Sequence, residues 1–212
     1  LKFFVDKIPA FRGGPGAPLL PAFGRASLRL FLLALALLAP ACSRPAIDMM
    51  QAPPAALRGA AYVHAVELSL GPEARRQVAA SDAQVAARRA SGDAGVTFAP
   101  LLTRLFKDAS AARGMREGRA LTLVVELDRL RITDAGGALL GRDDRLAGLV
   151  RVTDARTGAA LGTFYVDVDR RYPGLVGLAV REGNGSVRER LASAFVRHAL
   201  DQIAPAPAPA RR

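Results

Sequence analysis

The clearest period in the chain is helical. Phe98, Leu101, Leu102, Leu105, Phe106, Ala109 and Ala112 recur at helical spacing, which puts them on one face of a helix. Thr97 stands where an N-cap belongs, Pro100 falls in the first turn where a missing N–H costs little, and Gly114 or Gly118 stops the run. An apolar stripe this wide predicts a helix laid across a sheet. A second helix is predicted from Ser186, whose Ser186-Val187-Arg188-Glu189 reads as a capping box, to Ile203. Its polar stripe is Arg190, Ser193, Arg197 and Asp201, leaving Val187, Leu191, Ala194, Phe195, Ala199 and Ile203 to pack. Residues 72 to about 89 form a weaker, Ala-rich helix with Val78 and Val85 as its large anchors.

The strands carry a period of two. In residues 61–70, Tyr62, His64, Val66, Leu68 and Leu70 share one parity, so His64 is expected on the apolar face as a hydrogen-bonded core residue. Leu121, Leu123, Val125 and Leu127 alternate with Thr122 and Glu126, then Leu130 and Ile132 fall on the other parity. A bulge near Asp128-Arg129 would keep both sets inward. After a turn at Asp134-Ala135-Gly136-Gly137, residues 146–153 return the chain. Asp154-Ala155-Arg156-Thr157-Gly158 closes a hairpin, and residues 161–169 add a third strand with Phe164, Val166 and Val168 on one face. The fold class predicted is α+β: a two-layer sandwich of a mainly antiparallel sheet, an N-terminal strand plus a three-strand meander, with two to three helices packed on it.

Ahead of the fold lies a different pattern. Arg29 precedes an apolar run of about ten residues that ends Leu38-Ala39-Pro40-Ala41-Cys42, whereas a helix needs roughly twenty to cross a bilayer. A cationic flank, a short apolar core and small residues at its end make a secretory signal. The one cysteine of the chain sits where cleavage would fall, and becomes the candidate acylation site. The box resembles that of bacterial lipoproteins, with its Leu one place early and Pro40 inside it. An ordinary cleaved signal and an uncleaved anchor are the other readings. In the lipoprotein class, Ser43 after the cysteine implies transfer to the outer membrane. The organisation expected is 1–24 as a mis-started extension, 25–42 as signal, 43–60 as a flexible tether, 61–203 as one domain, and 204–212 as a Pro/Ala-rich disordered tail.

Composition changes this picture little. The formal charge of +11 divides into five Lys/Arg against one acid through Cys42 and twenty-five against eighteen beyond it. The arginines are dispersed among acids, without the basic run that marks a polyanion-binding tail, so no nucleic-acid partner is expected. With Cys42 acylated no disulfide can form, and the domain must hold by packing.

The search for chemistry returns few groups. His64 and His198 lie on separate elements. Asp143 and Asp144, flanked by Arg142 and Arg145, read as local ion pairing. Asp167 and Asp169 share a strand face and carry the weak alternative of a cation site or acid/base pair for an envelope hydrolase. No cofactor or metal site is expected. Residues 172–185 hold Tyr172, Leu175, Val176 and Leu178 between glycines. They are read either as a short element against the core or as an exposed apolar contact for a partner or membrane surface.

From residue 61 to 203 the layout resembles small envelope-lipoprotein domains related to the N-terminal domain of the Tol-system propeller protein and to auxiliary lipoproteins of ABC-type transporters. Residues 61–70, residues 146–164 with their Asp154–Gly158 turn, and the closing helix carry the resemblance. It implies a non-enzymatic binding or assembly module tethered by a lipid anchor to the periplasmic side of the envelope, working with an envelope protein complex. Carriage of a lipid or hydrophobic ligand between sheet and helices is the alternative.

Overall fold

Alternation in strands and stripes in helices meet in one interface between layers. A computed structural model of the chain describes residues 46–90, 95–171 and 186–205, all within residues 43–212, one of the two units into which the chain divides. The elements are β1 (Ala46–Gln51), a 3-10 turn (Ala55–Leu57), β2 (Ala61–Leu70), α1 (Pro72–Ala90), α2 (Phe98–Ala112), β3 (Arg119–Arg131), the short α3 (Ala135–Leu139), β4 (Asp144–Asp154), β5 (Ala160–Arg170) and α4 (Val187–Ile203). The sheet is mixed and open, in the order β1-β5-β4-β3-β2. β3, β4 and β5 form the antiparallel meander. β2 lies parallel to β3, as it can because α1 and α2 supply the long crossover that parallel neighbours require.

On β3, Leu121, Leu123, Val125 and Leu127 are buried and alternate with part-exposed Thr122, Val124 and Glu126. The register then shifts between Leu127 and Arg129, which returns Leu130 to the buried side. Gly148 makes that bulge fit: it pairs with Leu127, and a Cβ there would lie 2.5 Å from the Glu126 carbonyl oxygen. Phe164 and Val166 on β5, Phe98 and Phe106 on α2, and Phe195 on α4 are fully buried between the layers. Truncating any one of these phenylalanines would cost about 3–5 kcal/mol.

The structure corrects the sequence reading at three places. Residues 43–60 are not a tether throughout: β1 pairs antiparallel with β5, Ile47 against Val166 and Met49 against Phe164, and Leu57 is buried. Pro53 packs over Gly162, where a Cβ would lie 2.7 Å from its ring. Prolines flank this strand and leave its interior able to pair at a sheet edge. In β2, a register shift between Val63 and Ala65 changes the phase. Ala61 and Val63 are therefore buried while His64 is exposed, not on the apolar face. The expected turn at Asp134 is a short helix, α3, capped by the Asp134 carboxylate accepting from the Gly137 N–H at 2.6 Å.

The Asp154 hairpin forms as read. Its Oδ1 accepts from the Arg156 and Thr157 N–H groups, both at 2.9 Å, and Gly158 takes the positive φ of 72°. These amide bonds, the Thr157 one foremost, hold the Asp154 carboxyl below its usual range.

Candidate functional site

Several residues singled out by sequence, namely Cys42, Tyr172, Leu175, Val176 and Leu178, lie outside the described residues. The tail from 206 onward lies outside them too, and among them no helix is long and apolar enough to cross a membrane.

Asp143, Asp144 and Asp167 are occupied with holding the fold. Asp143 accepts from Arg131 at 2.5 Å, and Asp144 is fully buried and accepts from the Thr133 N–H at 2.7 Å and hydroxyl at 2.8 Å. The pairing is thus across the sheet rather than with Arg142. On the face of the sheet away from the helices, Asp167 takes both arms of Arg145, the Nε–Oδ1 bond being 2.7 Å. Arg151 reaches Glu126 at 2.8 Å on the same face. Asp167 and Asp169 remain neighbours by strand parity, but Asp167 is committed to a guanidinium. Among the described residues no group of three or more His, Cys, Asp or Glu could hold a metal ion.

Charge concentrates around α4. Its N-cap, Ser186, makes no capping side-chain bond, so the capping box does not close on that hydroxyl. Arg188 is only 5% exposed. It donates to Asp82 of α1 at 2.8 Å and also to the Val96 carbonyl. Asp82 in turn accepts from the Phe98 N–H at 2.9 Å, and so caps α2 in place of Thr97. One carboxylate thereby ties three helices together. Sequence spacing hides this triangle, since its members stand 16 and 106 residues apart.

The other side of the same helix is different. Ser186, Glu189, Arg190, Ser193, Ala194 and Arg197 line a concavity of about 300 Å³ together with Arg170, the last residue of β5. Serine and arginine at spacings of three and four along α4 put these groups on one helix face. Arg170 has the parity of Phe164, Val166 and Val168, and so projects from the helix-covered face of the sheet. Arg113, Arg119, Arg129, Arg131, Arg145, Arg151 and Arg188 each hold a carboxylate. Arg170 and Arg197 have no such partner among the described residues. Burial first, then Arg197, with Arg170 adding to it against Asp201, holds the neighbouring His198 imidazole below its ordinary value. The sequence shows the polar stripe of α4; that Arg170 meets it depends on tertiary packing.

No protein-family model matches the chain, and no curated protein matches it. Among solved structures the chain is similar to the PelC dodecamer from Paraburkholderia phytofirmans, at 9% identity over 76% of this chain and 97% of that one, with a TM-score of 0.45. It is similar also to a candidate lipoprotein from Caulobacter crescentus, at 24% identity over 52% of this chain and 83% of that one, TM-score 0.35. A Xanthomonas campestris protein of the DUF330 family matches at 11% identity over 71% and 90% of the two chains, TM-score 0.40. These likenesses concern chain path and transfer no residue role.

Proposed function

We propose that the chain is a non-enzymatic lipoprotein of the bacterial cell envelope, anchored through Cys42 on the periplasmic side, with the outer membrane favoured by Ser43, and acting as a binding or assembly component. The observation that carries this reading is the lone cysteine closing a short apolar run behind Arg29. One acyl chain binds a membrane marginally, whereas several hold a protein stably. The strand correction sharpens the picture: β1 begins at Ala46, leaving residues 43–45 as the only spacer after Cys42. Four residue steps reach at most about 14 Å. An acylated chain would therefore carry the β1 edge close to the lipid surface, and a partner would meet a domain held near the membrane rather than one on a long leash.

The hydrolase reading needs Asp167 and Asp169 as a pair, and Asp167 is engaged by Arg145, as Asp143 and Asp144 are by Arg131 and Thr133; this supports the binding reading. Carriage of a hydrophobic ligand between sheet and helices meets the packed Phe98, Phe106, Phe164 and Phe195. Mass spectrometry of the mature N-terminus tests the anchor: a diacylglyceryl-modified Cys42 is expected, and Cys42→Ala should release the protein from the membrane fraction. An unmodified Cys42 with residues 1–41 still attached would overturn the reading. Crosslinking in intact envelopes should then recover a partner protein.

A further inference from the structure

We propose that the concavity between α4 and the end of β5 binds a phosphate or phosphoester anion, held by Arg170 and Arg197. The proposal does not depend on the anchor or on any protein partner. It starts from a convergence: Arg170 at the end of β5 and Arg197 on α4, guanidiniums from two different elements, line one concavity, and neither has a carboxylate partner among the described residues. An anion seated there meets both cations at once. At about 300 Å³ the space lies at the lower end of the roughly 300–1,000 Å³ of small-molecule sites.

The donor set selects the anion. The planar guanidiniums of Arg170 and Arg197 present paired N–H groups that match phosphate oxygens two at a time. Ser186 and Ser193 add hydroxyls from the same wall, and the Ser186 hydroxyl is not spent on capping its own helix. The first helical bond of α4 runs from the Arg190 N–H to the Ser186 carbonyl, so the amides of residues 187–189 precede it and add their partial positive charge at this end. A tetrahedral oxyanion uses donors from several directions at once; a planar carboxylate uses fewer. Glu189 contributes the one carboxylate among the described lining residues, and it opposes any anion there, so the two guanidiniums must outweigh it. Burial first, and then Arg197 and Arg170 against Asp201, hold the His198 imidazole below its ordinary value, so its ring reports on both cations.

The test uses the full chain and three soluble probes: inorganic phosphate, glycerol 3-phosphate, and dihexanoylphosphatidylglycerol below its micelle concentration, with acetate as comparison. Binding is followed by calorimetry and by the His198 ring resonances, with His64, the other histidine of the chain, as internal reference. Phosphate-bearing probes should bind, shift His198 and leave His64 in place, while acetate binds at least tenfold more weakly. Binding by all three probes identifies the phosphoanion itself as the ligand; binding by the lipid alone identifies a phospholipid headgroup. Arg170→Gln with Arg197→Gln should weaken binding about tenfold or more, as loss of charge-assisted bonds does. Each single variant is measured beside it, in case the pair does not fold. Arg58→Gln with Arg156→Gln removes the same charge at exposed positions elsewhere and should leave affinity unchanged. The proposal is overturned if no phosphate probe moves His198, or if the two double variants lose affinity equally, since binding would then follow net charge alone.

Discussion

Two arginines nine residues apart on α4 live in opposite worlds. Arg188 points toward α1 and the start of α2, where Asp82 and the Val96 carbonyl answer its charge inside the protein. Arg197 lies on the side where Arg170 approaches and no carboxylate of the described residues pairs with it. A buried guanidinium must be neutralised and hydrogen-bonded within the fold, because leaving it alone in a low-dielectric interior costs several kcal/mol. An exposed one carries no such obligation, and water accepts its charge until something better arrives. One residue type on a single helix therefore closes the structure on one side and leaves a charged concavity on the other.

The sharpest way to break this contrast is at Arg188. Truncation to Ala removes the cation from the Asp82 carboxylate, which keeps the Phe98 N–H, and takes from the Val96 carbonyl its Arg188 donor. Breaking a buried pair costs about 3–5 kcal/mol, and the lower end is expected here because the Asp82 side chain keeps 26% of its exposure. Urea denaturation should show the loss as a fall in midpoint at constant slope. A loss below about 1 kcal/mol would place Arg188 with the surface ion pairs. The next effect is smaller and lies where the C-cap of α2 meets α4. Arg113, whose side chain is 10% exposed, donates to Asp201 at 2.7 Å and to the Arg197 carbonyl at 3.1 Å. Arg113→Ala should cost about 1–2 kcal/mol, since one bond is to a half-open carboxylate and the others are to the Arg197 and Ala109 carbonyls. Arg197→Gln, by contrast, should stay within about 0.5 kcal/mol of the parent, as surface changes do. If Arg197→Gln destabilises as much as Arg188→Ala, the two sides of α4 are not different in kind.

Elements governed by a local period were legible in the sequence. The α2 stripe, the β3 bulge, the Asp154 turn and the packing face of α4 each follow from spacing within one segment, and the structure places them so, except that at the end of the α2 stripe Ser110 is buried and Ala112 exposed. What escaped is set by partners distant in the chain. β1 carries three prolines around it and a short, mixed sequence, so it reads as linker; it becomes a strand because β5 offers it an edge. The bulge in β2 that turns His64 outward leaves no apolar phase slip as clear as the one at Asp128-Arg129. The Asp82 triangle and the meeting of Arg170 with Arg197 join residues from separate elements, and a single sequence holds no record of such pairs. The fold class was therefore readable, while the charged concavity was visible only as half of itself, the polar stripe of α4.

The smallest expected effect is also the most specific. His198 follows Arg197, and its protonation is lowered in the folded chain by burial first and then by Arg197 and Arg170, against Asp201. In the unfolded chain the imidazole returns to its ordinary value near 6.5. Between the two values the unfolded state binds more protons than the folded one, so stability rises with pH across that interval. The contribution is fully present above the unfolded value, declines as pH falls through it, and is lost once pH passes below the folded value. Replacing His198 by Gln should flatten this part of the urea midpoint against pH, leaving the carboxylate-driven limb at lower pH in place. Arg197→Gln should act in the same direction but less, because burial, the largest cause, stays when the guanidinium goes. Titration of the His198 ring resonances in the parent and in Arg197→Gln reads that difference directly. A His198 titration unmoved by loss of Arg197 would mean that solvent already screens the cationic side of α4, and the contrast with the Arg188 side would then reduce to burial alone.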